Sequence, residues 1–124
     1  MMSFAAAQYR NVRVSTVNPA DLVVQLYDGC LRFIREAQTK HASGDIAGRG
    51  ESLGKARAII NELMATLDES QAPELTKQLM TLYDFVLDRM TQATIQADPS
   101  KLDAAIRVLT PLRDAWAEVA KKGA

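Results

Sequence analysis

Residues 26–37 read LYDGCLRFIREA and residues 82–93 read LYDFVLDRMTQA, so that Leu26-Tyr27-Asp28 recurs as Leu82-Tyr83-Asp84. The same alignment pairs Leu31 with Leu87 and Ala37 with Ala93. Both stretches carry apolar residues at helical spacing, which predicts two related helical hairpins laid end to end. In each copy a tyrosine places a large amphipathic ring beside a carboxylate. The apolar band around it is wider than one buried seam requires.

Working outward, Asn18-Pro19-Ala20-Asp21 supplies a cap, a proline at the first helical position and an acid in the first turn. The first helix is expected over about 19–42. Leu22, Leu26, Cys30, Phe33 and Ala37 form its core row, and Val23, Tyr27, Leu31 and Ile34 a second row beside it. Two rows imply two neighbours, or one neighbour and one ligand. Asp45 is a candidate cap for a second helix over 45–68, with Leu53, Ala56, Ile60, Leu63 and Leu67 on its inner face. Gly48, Gly50 and Gly54 weaken its opening turns by about 1 kcal/mol each relative to alanine, so its start is expected to fray. After a loop at Asp68 to Pro73, a third helix over 73–97 carries Leu75, Leu79, Leu82, Val86, Met90 and Ala93, with Tyr83 and Leu87 as its second row. Asp98-Pro99-Ser100 restarts the chain into a fourth helix over 99–120 with Leu102, Ile106, Leu109, Leu112, Trp116 and Val119, kinked at Pro111. Nothing alternates as a strand would.

Four helices with short connections fold most readily as an all-α, antiparallel up-and-down four-helix bundle, which points the two Leu-Tyr-Asp helices the same way. Residues 1–17, with Phe4, Tyr9, Val12 and Val14 but no long stripe, are expected to form a flexible N-terminal arm or cap, and residues 121–124 a tail. At 124 residues the bundle is a single domain.

The composition excludes several classes of function. Fifteen Lys and Arg balance fifteen Asp and Glu, so nothing attracts a polyanion, and no nucleic acid partner is expected. No segment approaches the roughly 18 consecutive apolar residues of a membrane span, and no cleaved signal is evident, so a soluble cytoplasmic protein without membrane insertion is expected. The single cysteine, Cys30, reads as a small buried apolar residue, and neither a metal site nor a cofactor is expected. The chain has no Glu-x-x-His pair for a di-iron bundle. His41 is the only histidine, and it is followed by Ala42-Ser43-Gly44 at a helix end, a poor match to a phosphotransfer site; Arg35 with His41 only superficially resembles the spacing of some helical ribonucleases. An enzyme is not expected. A signalling or nuclease domain using His41, and a structural helical homodimer filling the wide apolar rows, are the alternatives the residues leave open.

Several elements, taken in order, carry a family resemblance. They are Tyr9-Arg10-Asn11-x-Arg13-Val14, Thr16-x-Asn18-Pro19-x-x-Leu22, Leu26-Tyr27-Asp28-Gly29, Lys55-Ala56 before Ile59-Ile60-x-x-Leu63, Leu79-x-x-Leu82-Tyr83-Asp84 and Leu112-Arg113-x-Ala115-Trp116. Together they resemble the FliS family of flagellar secretion chaperones over nearly the whole domain. The resemblance implies a cytoplasmic, non-enzymatic bundle that binds the C-terminal segment of newly made flagellin, prevents its premature polymerisation and supports its delivery to the flagellar type III export apparatus. It implies a flagellin-binding set of Tyr9, Asn11 and Val14 in the arm and Leu22, Leu26, Tyr27, Leu31, Ile34, Leu82 and Tyr83 on the helices, with the arm covering part of that surface when flagellin is absent. It also suggests the export gate, an anti-sigma factor or a co-chaperone as further partners. The glycine-rich start of the second helix, Pro111 and the Ala72-Pro73 turn depart from the family pattern.

Overall fold

The computed structural model describes residues 18–123. They form four helices: α1 Pro19–Ala42, α2 Ile46–Ala65, α3 Pro73–Ile95 and α4 Lys101–Lys122. No strand occurs among the described residues. The helices pack around a square in the order α1, α2, α3, α4 and back to α1, so α1 and α3 lie diagonally opposite and run the same way. The fold is the antiparallel four-helix bundle expected from the sequence. Its most extensive seams are those α1 makes with α2 and α4, and its thinnest is between α2 and α3.

Each helix end follows from local chemistry. Asn18 Oδ1 accepts from the Ala20 N–H at 2.9 Å and its Nδ2 donates to the Ala120 carbonyl at 3.0 Å, so one side chain starts α1 and fastens it to the end of α4. Gly44 takes a φ of 80° and turns the chain toward Asp45, whose carboxylate accepts from the Gly48 N–H at 2.8 Å. The glycine-rich start of α2 is thus helical from Ile46. α2 ends at Ala65, short of the expected 68, because the Thr66 hydroxyl takes up the Leu63 carbonyl at 2.7 Å. α3 ends at Ile95 and α4 begins at Lys101, two residues later than expected. The cause is an Asx turn in which Asp98 accepts from both the backbone and the hydroxyl of Ser100. α4 runs without a break past Pro111, which is exposed, and extends to Lys122 into the expected tail.

The core corrects the order of the rows. In α1 the buried line is Tyr27, Cys30, Ile34 and Ala37, with Leu26 and Leu31 beside it, whereas Leu22 and Phe33 are half-buried. Every member of that line has a buried counterpart 56 positions on: Tyr83, Val86, Met90 and Ala93. In α3 the expected core residues Leu75 and Leu82 are exposed and half-buried respectively. Periodicity finds the apolar band of a helix, but its centre is set by where the neighbours stand. Because α1 has neighbours on both sides, the residues aimed at the bundle axis are those between the two seams. Phe33 lies outside the axis and is covered by Arg32 and Lys55, at 4.9 and 5.5 Å from its ring centre.

Candidate binding channel

The two tyrosines of the repeat meet across the bundle. Tyr27 and Tyr83 are 0% and 2% exposed, and their hydroxyl oxygens lie 2.5 Å apart. Burial pushes both phenols above their ordinary acidity, and at Tyr27 the proximity of Tyr83 adds to the rise. Both rings are therefore neutral and packed. Cys30 lies one turn along, its thiol pushed up to about 12 by burial and set 3.7 Å from the Ala56 carbonyl.

Beside this pair the bundle opens. At the link 66–72 between α2 and α3, whose seam is the thinnest of the bundle, lies a cavity of about 640 Å³. The start of α1 supplies one wall through Pro19, Leu22, Val23 and Leu26. Leu63 comes from the end of α2, Leu67 from the link, Leu75, Leu79 and Tyr83 from α3, and Trp116 from α4. A second depression of about 230 Å³ lies in the α1–α2 seam among Gln25, Gly29, Arg32, Phe33 and Ile59. Gly29 makes room for it, since a Cβ there would already touch Ile59 at 3.4 Å. Leu22 and Leu26 border both hollows, so the two lie side by side along α1 as an interrupted apolar channel.

The residues expected to bind a partner are distributed unevenly around this channel. Leu22, Leu26 and Tyr83 line it. Tyr27, Leu31 and Ile34 are buried and do not line it, and Leu82 is half-buried beyond it. Tyr9, Asn11 and Val14 lie outside the described residues. Residues not singled out as binding candidates, among them Val23, Phe33, Leu67, Leu75 and Leu79, complete the walls; only their place on the same apolar bands hinted at it.

Of the charged groups, Asp28 pairs across helices with Arg113, Nε to Oδ1 at 2.8 Å, while Asp84 is exposed. That carboxylate holds the Arg113 guanidinium in its charged form. His41 sits at the end of α1, where the Arg49 guanidinium lies 2.9 Å from its Nδ1. No group of His, Cys, Asp and Glu among the described residues is arranged to hold a metal ion. No described helix is long and apolar enough to cross a membrane.

Comparison with known proteins points to one family. The family model described as "Flagellar protein FliS" matches residues 1–123. The chain is 37% identical over 108 residues to the flagellar secretion chaperone FliS of Bacillus subtilis (strain 168), covering 87% of this chain and 80% of that protein. It is 31% identical to the flagellar secretion chaperone FliS of Vibrio cholerae over 86% of this chain and 79% of that one. To the flagellar secretion chaperone FliSB of Pseudomonas aeruginosa it is 31% identical, over 90% and 92% of the two chains.

Proposed function

The chain belongs to the FliS family of flagellar secretion chaperones, and we propose that it binds the C-terminal segment of flagellin in the cytoplasm, laying that segment along the apolar channel of α1. The family is one of chaperones and not of enzymes, and a flagellar substrate protein is the class of partner it implies. The observation that carries the finer reading is that the two hollows adjoin along α1, with Leu22 and Leu26 on the walls of both. A channel of that kind suits an amphipathic segment that is disordered until assembly. Burying its apolar face removes the surface through which subunits polymerise and keeps it competent for delivery to the flagellar type III export apparatus.

Residues 1–17 join the bundle at Asn18 and Pro19, and Pro19 is on the cavity wall. We propose that the arm residues Tyr9, Asn11 and Val14 act as a cap over the client surface that the client displaces. The export gate, an anti-sigma factor or a co-chaperone is proposed as a further partner.

Leu22→Asp tests the reading, because Leu22 is half-buried and common to both hollows. A carboxylate there must be desolvated when the client arrives, so affinity for the flagellin C-terminal segment should fall by more than about tenfold while the helical circular dichroism is kept. Undiminished co-elution of the variant with that segment would place the client elsewhere.

A further inference from the structure

The Tyr27 and Tyr83 hydroxyls hold two protons and share one hydrogen bond, so one proton needs a further acceptor. No other described residue accepts from either oxygen. Tyr27 is enclosed and borders neither hollow, whereas Tyr83 lines the larger one. With Tyr27 donating to Tyr83, the spare proton belongs to the tyrosine that lines the cavity; the reverse arrangement would leave it on the enclosed Tyr27, where an unmet donor is costly.

We infer that Tyr83 is a specificity-determining donor on the floor of the cavity, where its hydroxyl hydrogen-bonds a neutral oxygen of the bound client, either a main-chain carbonyl free of the client's own helix or a Gln or Asn side-chain oxygen. A carboxylate is disfavoured, since the surrounding Leu26, Leu63, Leu79 and Trp116 offer no positive charge. The cavity thus selects for apolar side chains and for one acceptor in register with them. An otherwise greasy channel would accept many amphipathic segments, and the acceptor requirement narrows that choice.

This inference rests on the client reading above, and two conservative variants separate them by calorimetry with the purified C-terminal segment of the organism's own flagellin. Tyr83→Phe removes the donor to the client and should weaken binding about tenfold. Tyr27→Phe removes the bond inside the core and the Tyr27 contact to the Trp116 indole, leaves the Tyr83 proton in place and should bind within about twofold of the original protein. Equal weakening of both variants would show that the hydroxyl pair is only structural and would overturn the inference. Binding by the original protein that survives Tyr83→Phe unchanged would also overturn it alone, while no binding by the original protein would overturn it together with the client reading. Should Tyr83→Phe fail to fold, fluorotyrosine in place of Tyr83 keeps the ring and strengthens the donor. Client binding should then tighten, and unchanged or weaker binding would count against the assignment.

Discussion

At Tyr27, Cys30 and Tyr83 three ionisable groups are held neutral by burial, and this gives the protein an alkaline weakness. In the unfolded chain the thiol ionises near its ordinary 9.0 and the phenols near 10.0, while in the folded protein the thiol waits until about 12 and the phenols are raised as well. From about pH 9 upward the folded state therefore binds more protons than the unfolded one, so stability declines as pH rises through that window. Denaturant titrations should show a midpoint that falls between about pH 9 and pH 11, with a shallower fall in Tyr27→Phe. The same burial predicts that alkylation of Cys30 by iodoacetamide in the native protein is limited by opening of the bundle, and that denaturant accelerates it in step with unfolding. Rapid alkylation of fully folded protein would contradict the placement of Cys30 in the core.

Among the elements, α2 is the helix with most to gain. A Cβ built at Gly50 or Gly54 meets nothing within 4 Å, and both positions are exposed in a regular helix. Gly50→Ala and Gly54→Ala should each stabilise the bundle by about 1 kcal/mol and combine nearly additively in thermal or denaturant unfolding. The junction of α1 and α4 behaves in the opposite sense. Asn18→Ala removes both the cap and the bond to the Ala120 carbonyl and should cost about 1–2 kcal/mol. Asn18→Asp keeps the cap oxygen and loses only the amide donor, so its unfolding midpoint should lie between those of Asn18→Ala and the original protein. Much at this scale was legible in the sequence: Asn18-Pro19, Asp45 and the repeat mark helices whose observed ends lie within a few residues of those signals. The offsets arise from side chains that compete for backbone groups, as Thr66 does for the Leu63 carbonyl and Asp98 for the Ser100 N–H. Helical spacing does not report such competition.

Across the whole molecule, the duplicated Leu-Tyr-Asp places its tyrosines at one level on parallel, diagonal helices, where they touch over a separation of 56 residues. The repeat contained that contact, yet periodicity on either helix alone could not show that Tyr27 and Ile34 face the axis while Leu22 and Phe33 face outward. The channel was still less legible, because it lies at the link 66–72 between α2 and α3 and takes Trp116 from the far end of the chain. Leu75 illustrates the point: its spacing makes it a core residue, but it is 55% exposed on the rim of that opening. An apolar channel left open in a bundle that is otherwise well packed is the feature that ties the fold to holding a client. Isothermal titration of the protein with the C-terminal segment of its own flagellin, repeated at several temperatures, tests that tie most directly. Saturable binding with a clearly negative heat-capacity change, lost in Leu22→Asp, is the predicted result. Absence of binding by the folded protein, or binding with a heat-capacity change near zero that Leu22→Asp leaves intact, would contradict it.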